Sequence, residues 1–155
     1  MGIEQLIRRT GSSSCGPSVS GQEAVLRIAP AVAKSVPKLR AFAQSTGREW
    51  GADVESVDAM AIIVSELVAN AYQHSGSADV AVLLLADRER VVIRVSDTGC
   101  WNEVPTSSRP QEEMTSGRGL HLVRAYASDL SVERGSYGTT ITAEVSTVHV
   151  ADLTR

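Results

Sequence analysis

The stretch Val64–Gly76, VSELVANAYQHSG, carries a carboxylate, an amide and an imidazole at four-residue intervals: Glu66, Asn70 and His74. On a helix this spacing puts all three on one stripe, and at ~1.5 Å rise per residue Glu66 and Asn70 lie ~6 Å apart along the axis. One small ligand group or a hydrated metal fits between their reaches. The plainer reading is a surface Glu, a surface Asn and a helix-terminal His favoured by the macrodipole.

Three other places carry polar groups where their surroundings are apolar or glycine-rich. In RVVIRVSD, Asp97 falls on the same strand face as Val91, Ile93 and Val95, and an inward carboxylate needs hydrogen-bond donors. Either a ligand supplies them or Asp97 caps the turn that follows it, DTG. In SGRGL, Gly117 and Gly119 open a helix. Glycines let backbone N–H groups approach a ligand, and a helix N-terminus favours phosphate. The dinucleotide spacing fails because position 122 is Leu, and no phosphate-loop sequence of the Gly-Lys-Ser/Thr type occurs. In YGTTITAEV, Thr139 is a hydroxyl on the face of Ile141, Ala143 and Val145, a placement that strand propensity alone also allows.

The elements that position these groups are legible from period and punctuation. EAVLRIA (23–29) reads as a strand. A helical pattern runs from the Pro30/Pro37 region to about Trp50, and Asp53 is the expected N-cap of the next helix. That second helix extends to about His74, with Val57, Met60, Ala61, Val64, Leu67, Val68 and Ala71 as its core stripe. Ala59 and Ile63 precede Glu66, Asn70 and His74 on a flanking stripe, which is thus expected to be covered at one end and to line a cavity at the other. ADVAVLLLADRERVVIRVSD predicts a hairpin turning at Asp87–Arg90, and DLSVERGSYGTTITAEV predicts a second one around Gly135–Gly138. Between them lie a long aperiodic loop, residues 98–117, and a helix in RGLHLVRAYAS. The expected fold is α+β: a two-layer sandwich of a mixed, mostly antiparallel sheet with helices on one face. Residues 1–21, rich in Gly, Ser and Pro from position 10, are expected to be a disordered N-terminal segment, 22–146 the folded domain and 147–155 a tail.

Composition limits the alternatives. The chain has 155 residues, 43% apolar and 21% charged, which suits one domain with a sizeable core. Net charge is −3 with no block of Lys or Arg, so charge suggests neither a nucleic-acid nor an anionic-membrane surface. No apolar run approaches the ~20 residues a membrane span needs. Cys15 and Cys100 are too few and too scattered for a disulfide framework or a zinc site. The expectation is a cytoplasmic protein without direct nucleic-acid or membrane partners.

Taken in order, Glu-Leu-x-x-Asn-Ala-x-x-His, a strand-end Asp-x-Gly, a long loop, Gly-x-Gly-Leu and Gly-Thr-Thr resemble the Bergerat-fold (GHKL) ATPases across residues 22–146. ELVANAYQH and SGRGLHLV are similar to the bacterial anti-sigma-factor serine kinases and their single-domain relatives. The resemblance implies ATP and Mg²⁺ as cofactors. It implies Glu66 as general base, Asn70 as the Mg²⁺ ligand, and His74 as either a lesser contact or a helix cap. It further implies Asp97 as acceptor from the adenine amino group, Gly99 as the close approach to adenine, and Thr139 as support for Asp97. Gly117, Gly119 and Leu120 would form the phosphate turn under a lid of residues 98–117. Trp101 stands where the family usually has a second Gly, and Thr115 where characterised kinases have Arg, leaving Arg118 for the γ-phosphate. The implied function is a regulator that phosphorylates an antagonist protein and sequesters a sigma factor, working as a homodimer. A non-catalytic ATP-responsive binding module and a detached histidine-kinase catalytic domain are the alternatives.

Overall fold

The computed structural model describes residues 22–100 and 119–147. The segment 1–21, most of the expected lid and the residues after Thr147 lie outside them. The chain order is β1 (Glu23–Pro30), α1 (Ser35–Glu49), α2 (Val54–Asn70), a π-helical turn (Ala71–Ser75), β2 (Asp79–Ala86), β3 (Arg90–Asp97), α3 (Gly119–Tyr126), β4 (Asp129–Gly135) and β5 (Gly138–Ser146). The strands form one sheet in the order β1-β2-β3-β5-β4. Each neighbouring pair is antiparallel, so the expected α+β sandwich is present, with fully antiparallel pairing in place of a mixed sheet.

Period-2 alternation decides which side of each strand is buried. One cross-strand row runs Val25, Leu84, Ile93, Ala143 and Leu130, and its three central members are fully buried. That row faces the helical layer, where Met60, Ile63, Val64, Leu67 and Val68 of α2 are at most 1% exposed. Burying a side chain of this size contributes about 1.5–3 kcal/mol, so α2 is the principal support of the sheet. Every residue of the expected core stripe of α2 is buried, as are Ala59 and Ile63 at the head of the flanking stripe. Glu66, Asn70 and His74 further along it are half-buried.

Local signals set the element ends. Asp53 caps α2 as expected: its carboxylate accepts from the Ser56 N–H at 2.9 Å and from the Ser56 hydroxyl at 2.6 Å, an arrangement whose loss typically costs about 0.5–2 kcal/mol. The β2–β3 hairpin turns at Asp87, whose Oδ1 accepts from the N–H groups of Glu89 (2.9 Å) and Arg90 (3.0 Å). These bonds hold the Asp87 carboxyl below its ordinary value, the Glu89 N–H contributing most. Arg90 also reaches Glu144 of β5 at 2.8 Å, which raises the guanidinium above its ordinary value. The second helix was expected to run to about His74. Its α-helical hydrogen bonding instead ends at Asn70, and the chain widens into the π-helical turn before stopping at Gly76, with φ 66°. Single π turns recur at functional sites, where they redirect a helix end.

Candidate functional site

The site is assembled around the last turns of α2. Glu66 and Asn70 lie one turn apart on its half-buried flank, and His74 follows inside the π turn. α3 packs on α2 and brings its first residue, Gly119, to this flank. A Cβ on Gly119 would stand 2.8 Å from Glu66 Oε2 and 3.8 Å from Asn70 Oδ1. With glycine at this position the start of α3 comes this close to the carboxylate without displacing it. Leu120, next in sequence, is partly buried against the core and anchors that end of α3. The N-terminal N–H groups of a helix thus open beside a carboxylate and an amide oxygen.

A second arm reaches the far end of the same helix. The Gly99 position is so close to the π turn that a Cβ there would stand 1.8 Å from the Ser75 carbonyl oxygen. The Ser77 hydroxyl accepts from the Thr98 N–H at 3.1 Å and lies 3.1 Å from the Thr98 hydroxyl. Ser75 closes its own turn, donating to the Ala71 carbonyl at 2.6 Å and accepting from the Ser77 N–H at 3.1 Å. These contacts staple the β3–loop junction to the end of the helix.

Asp97 lies at that junction, 3% exposed, on the helix-facing side of β3. Its Oδ1 accepts from the Gly99 N–H at 3.0 Å, so it does cap the DTG turn. Thr139, 4% exposed, is its direct cross-strand partner on β5. Gly138 folds over the same spot with φ +134°, where a Cβ would stand 1.9 Å from the Asp97 carbonyl oxygen. Beneath, Ser96 and Thr140 bring their hydroxyls to 3.0 Å. A buried carboxylate and a buried hydroxyl, pressed between two glycines, therefore sit at one end of the helix stripe, and the Gly119 contact sits toward the other.

The structure thus gathers Glu66, Asn70, Gly119 and Leu120 at one locus, and Asp97, Gly99 and Thr139 at a second, joined by the last turns of α2 and the π turn. From Glu66 to Ser75 the helix rise amounts to ~13 Å. Gly117, Arg118, Trp101 and Thr115 lie outside the described residues. The role of Ser75, Ser77 and Gly138 in closing the second locus was not anticipated. Gly138 carries a signal in the Gly-Thr-Thr sequence; Ser75 carries only its place just before the helix-stopping Gly76.

The oxygen donors suit a hard cation shared with phosphate: Asn70 offers an amide oxygen beside Glu66, and Mg²⁺ takes few protein ligands while keeping waters. Among the described residues no group of three or more His, Cys, Asp or Glu is placed to hold a metal on its own. Nor, among them, is any helix long and apolar enough to cross a membrane.

The pattern of the histidine kinase-like ATPase domain matches residues 29–145. A solved structure of the RsbU and RsbW domains of Rv1364c from Mycobacterium tuberculosis is similar at 24% identity and a TM-score of 0.61, over 81% of this chain and 32% of that one. This chain thus spans about a third of that one, and the likeness concerns the fold. The histidine kinase domain of the blue-light activated histidine kinase of Erythrobacter litoralis EL346 aligns at 19% identity and a TM-score of 0.44, over 91% of this chain and 68% of that one. No curated protein matches significantly. With the family pattern spanning both loci and strands β2 to β5 over residues 29–145, the chain belongs to the histidine kinase-like ATPase domain family of ATP-binding domains.

Proposed function

We propose that this chain binds ATP along the end of α2, passes the γ-phosphoryl group to a serine of an antagonist protein, and sequesters a sigma factor. The observation that carries the reading is the approach of Gly119 to Glu66 and Asn70, which puts a helix N-terminus, a carboxylate and an amide oxygen at one point. The residues fit a nucleotide laid along the stripe. Asp97 would accept a hydrogen bond from the adenine amino group, with Thr139 beside it and Gly99 leaving room for the base. The N–H groups at the Gly117–Leu120 turn would meet the phosphates. Asn70 would hold the Mg²⁺, which supplies charge neutralisation at the phosphates when bound. Glu66 would accept the proton of the attacking serine hydroxyl as its oxygen bonds the γ-phosphorus and ADP departs. Arg118, adjoining Gly119 in sequence, is the cation proposed for the γ-phosphate, and residues 98–117 the lid. His74 contributes from the helix end, as cap or lesser contact.

The anti-sigma side of the reading is supported by the ELVANAYQH and SGRGLHLV sequences and by the fold shared with the RsbU–RsbW chain. On this reading the protein acts as a homodimer in the cytoplasm. The test is transfer of label from γ-labelled ATP, with Mg²⁺, to antagonist-type proteins encoded in the same genome. Transfer that Glu66→Ala abolishes supports the kinase. ATP-dependent stabilisation without transfer to any of them leaves a non-catalytic ATP-responsive binding module, and no stabilisation by ATP overturns the reading altogether.

A further inference from the structure

The helical layer carries a trough on its solvent side. α2 is the central helix, with α1 packed along one flank and α3 along the other, and the groove between them has a volume of about 920 Å³. Its floor is the outward stripe of α2: Glu55, Asp58, Ile62 and Glu66, spaced three and four residues apart. Arg40 and Gln44 of α1 form one wall. Leu122 and Tyr126 of α3 form the other and are 39% and 43% exposed. From Glu55 to Glu66 the floor rises ~16 Å, enough for about three helical turns of a bound segment.

The lining is chemically lopsided. Glu55, Asp58 and Glu66 make no ion pair among the described residues. Arg40, the cation in the wall, spends its Nε on the Ser65 hydroxyl at 2.7 Å. An acidic floor interrupted by Ile62 and overhung by Leu122 and Tyr126 complements a segment that is basic and apolar in alternation. It disfavours a second copy of the same trough, which would bring like charges together. Neither Asp97, Asn70 nor Thr139 lines it. The trough and the nucleotide locus share one residue, Glu66, which meets Gly119 and also lines the trough.

We infer that this trough docks the hydroxyl-bearing segment of the protein substrate, basic residues lying against Glu55 and Asp58, apolar ones against Ile62, Leu122 and Tyr126, and the serine delivered at Glu66. This rests on the kinase reading of the site and names the class of segment it accepts. Approach along the trough brings the acceptor to Glu66 without contact with Asp97 or Thr139, neither of which lines it, so the substrate need not pass through the adenine end.

The experiment uses the full chain and a fluorescein-labelled peptide of about fifteen residues, roughly four helical turns, with Lys and Leu at helical spacing around one central Ser. A counterpart carries Glu in place of Lys. Anisotropy should show the lysine peptide binding and the glutamate peptide not. Asp58→Lys and Ile62→Asp should each weaken binding about tenfold or more, which is about 1.4 kcal/mol, while the rise in melting temperature with ATP stays unchanged. Equal affinity for both peptides, or affinity indifferent to both substitutions, overturns the docking surface. A change in oligomeric state in these variants, without change in peptide affinity, makes the trough a contact between copies and likewise overturns it. Stabilisation by ATP with no peptide binding refutes the trough alone; peptide binding in the trough with no stabilisation by ATP refutes the nucleotide reading alone.

Discussion

Gly119 and Glu66 meet so closely that a single methyl group on Gly119 would stand 2.8 Å from Glu66 Oε2. The overlapped atom is the far end of a flexible side chain, which can swing away where backbone cannot. Gly119→Ala is therefore expected to fold, and the first turn of α3 gains helix propensity of up to about 1 kcal/mol. On the proposed function the displaced carboxylate would no longer face the acceptor. Melting temperature should be unchanged or higher, with phosphoryl transfer strongly reduced. A Gly119→Ala chain that transfers at the parent rate would separate Glu66 from the chemistry.

Gly99 and Gly138 are different, because what they touch is backbone. A Cβ at Gly99 meets the Ser75 carbonyl oxygen at 1.8 Å, and one at Gly138 meets the Asp97 carbonyl oxygen at 1.9 Å. Gly138 also has φ +134°, a conformation a side chain opposes by about 1–3 kcal/mol. Each alanine variant should lose stability by more than about 1–3 kcal/mol, the usual range for overpacking. Urea unfolding reads this directly, and a parent-like midpoint for either variant would contradict the packing described.

Asp97 offers a test of base selectivity. Its Oδ1 accepts from the Gly99 N–H, and Asn retains that acceptor, so Asp97→Asn is expected to keep the fold. ATP and ADP should raise the melting temperature of the parent, and GTP should not, because guanine presents a carbonyl where adenine presents an amino group. At ligand concentrations ~100 times the dissociation constant the gain is ~2.7 kcal/mol. Asp97→Asn should lose it. Equal stabilisation by GTP would remove Asp97 from the adenine.

On the proposed function Glu66 is the base and Asn70 the metal ligand, and substitution separates the two roles. Asn70→Ala should weaken the Mg²⁺-dependent part of ATP binding and leave the Mg²⁺-free part alone. Glu66→Ala should bind ATP as the parent does and lose turnover, since a general base acts in the chemical step. Titration calorimetry with and without Mg²⁺ distinguishes these, and loss of ATP binding in folded Glu66→Ala would make Glu66 a binding residue.

The Asp87 turn predicts a pH effect away from the site. The carboxyl is held below its ordinary value chiefly by the Glu89 N–H. Its stabilisation is therefore fully present above the unfolded-state value and lost as pH falls through the lower folded-state value. Asp87→Asn keeps an oxygen acceptor and removes the charge. The difference in melting temperature between parent and variant should be largest near neutral pH and shrink in the acid range. The carboxylate is 36% exposed, so the effect is small. A difference that grows on acidification would reverse the sign of the proposal.

Much of the architecture was already written along the chain. The 3.6 period selected the buried stripe of α2 residue by residue, Asp53 announced its start, and alternation plus turn residues located both hairpins. The stripe of Glu66, Asn70 and His74 was equally legible, because positions four apart on a helix are neighbours whatever surrounds them. Tertiary structure alone decided what that stripe faces. The docking of α3 on α2 brought Gly119 to Glu66. The β3–β5 register paired Asp97 with Thr139. The packing of the π turn also put the Ser75 backbone where a Cβ on Gly99 would stand. The π turn that carries Ser75 has no sequence period of its own and departs from the regular helix expected there. Periodicity reports what each residue does relative to its neighbours in the chain. Meetings between distant segments are set by how helices and strands pack, and the fully antiparallel sheet and the acidic trough beside Glu66 are consequences of that packing.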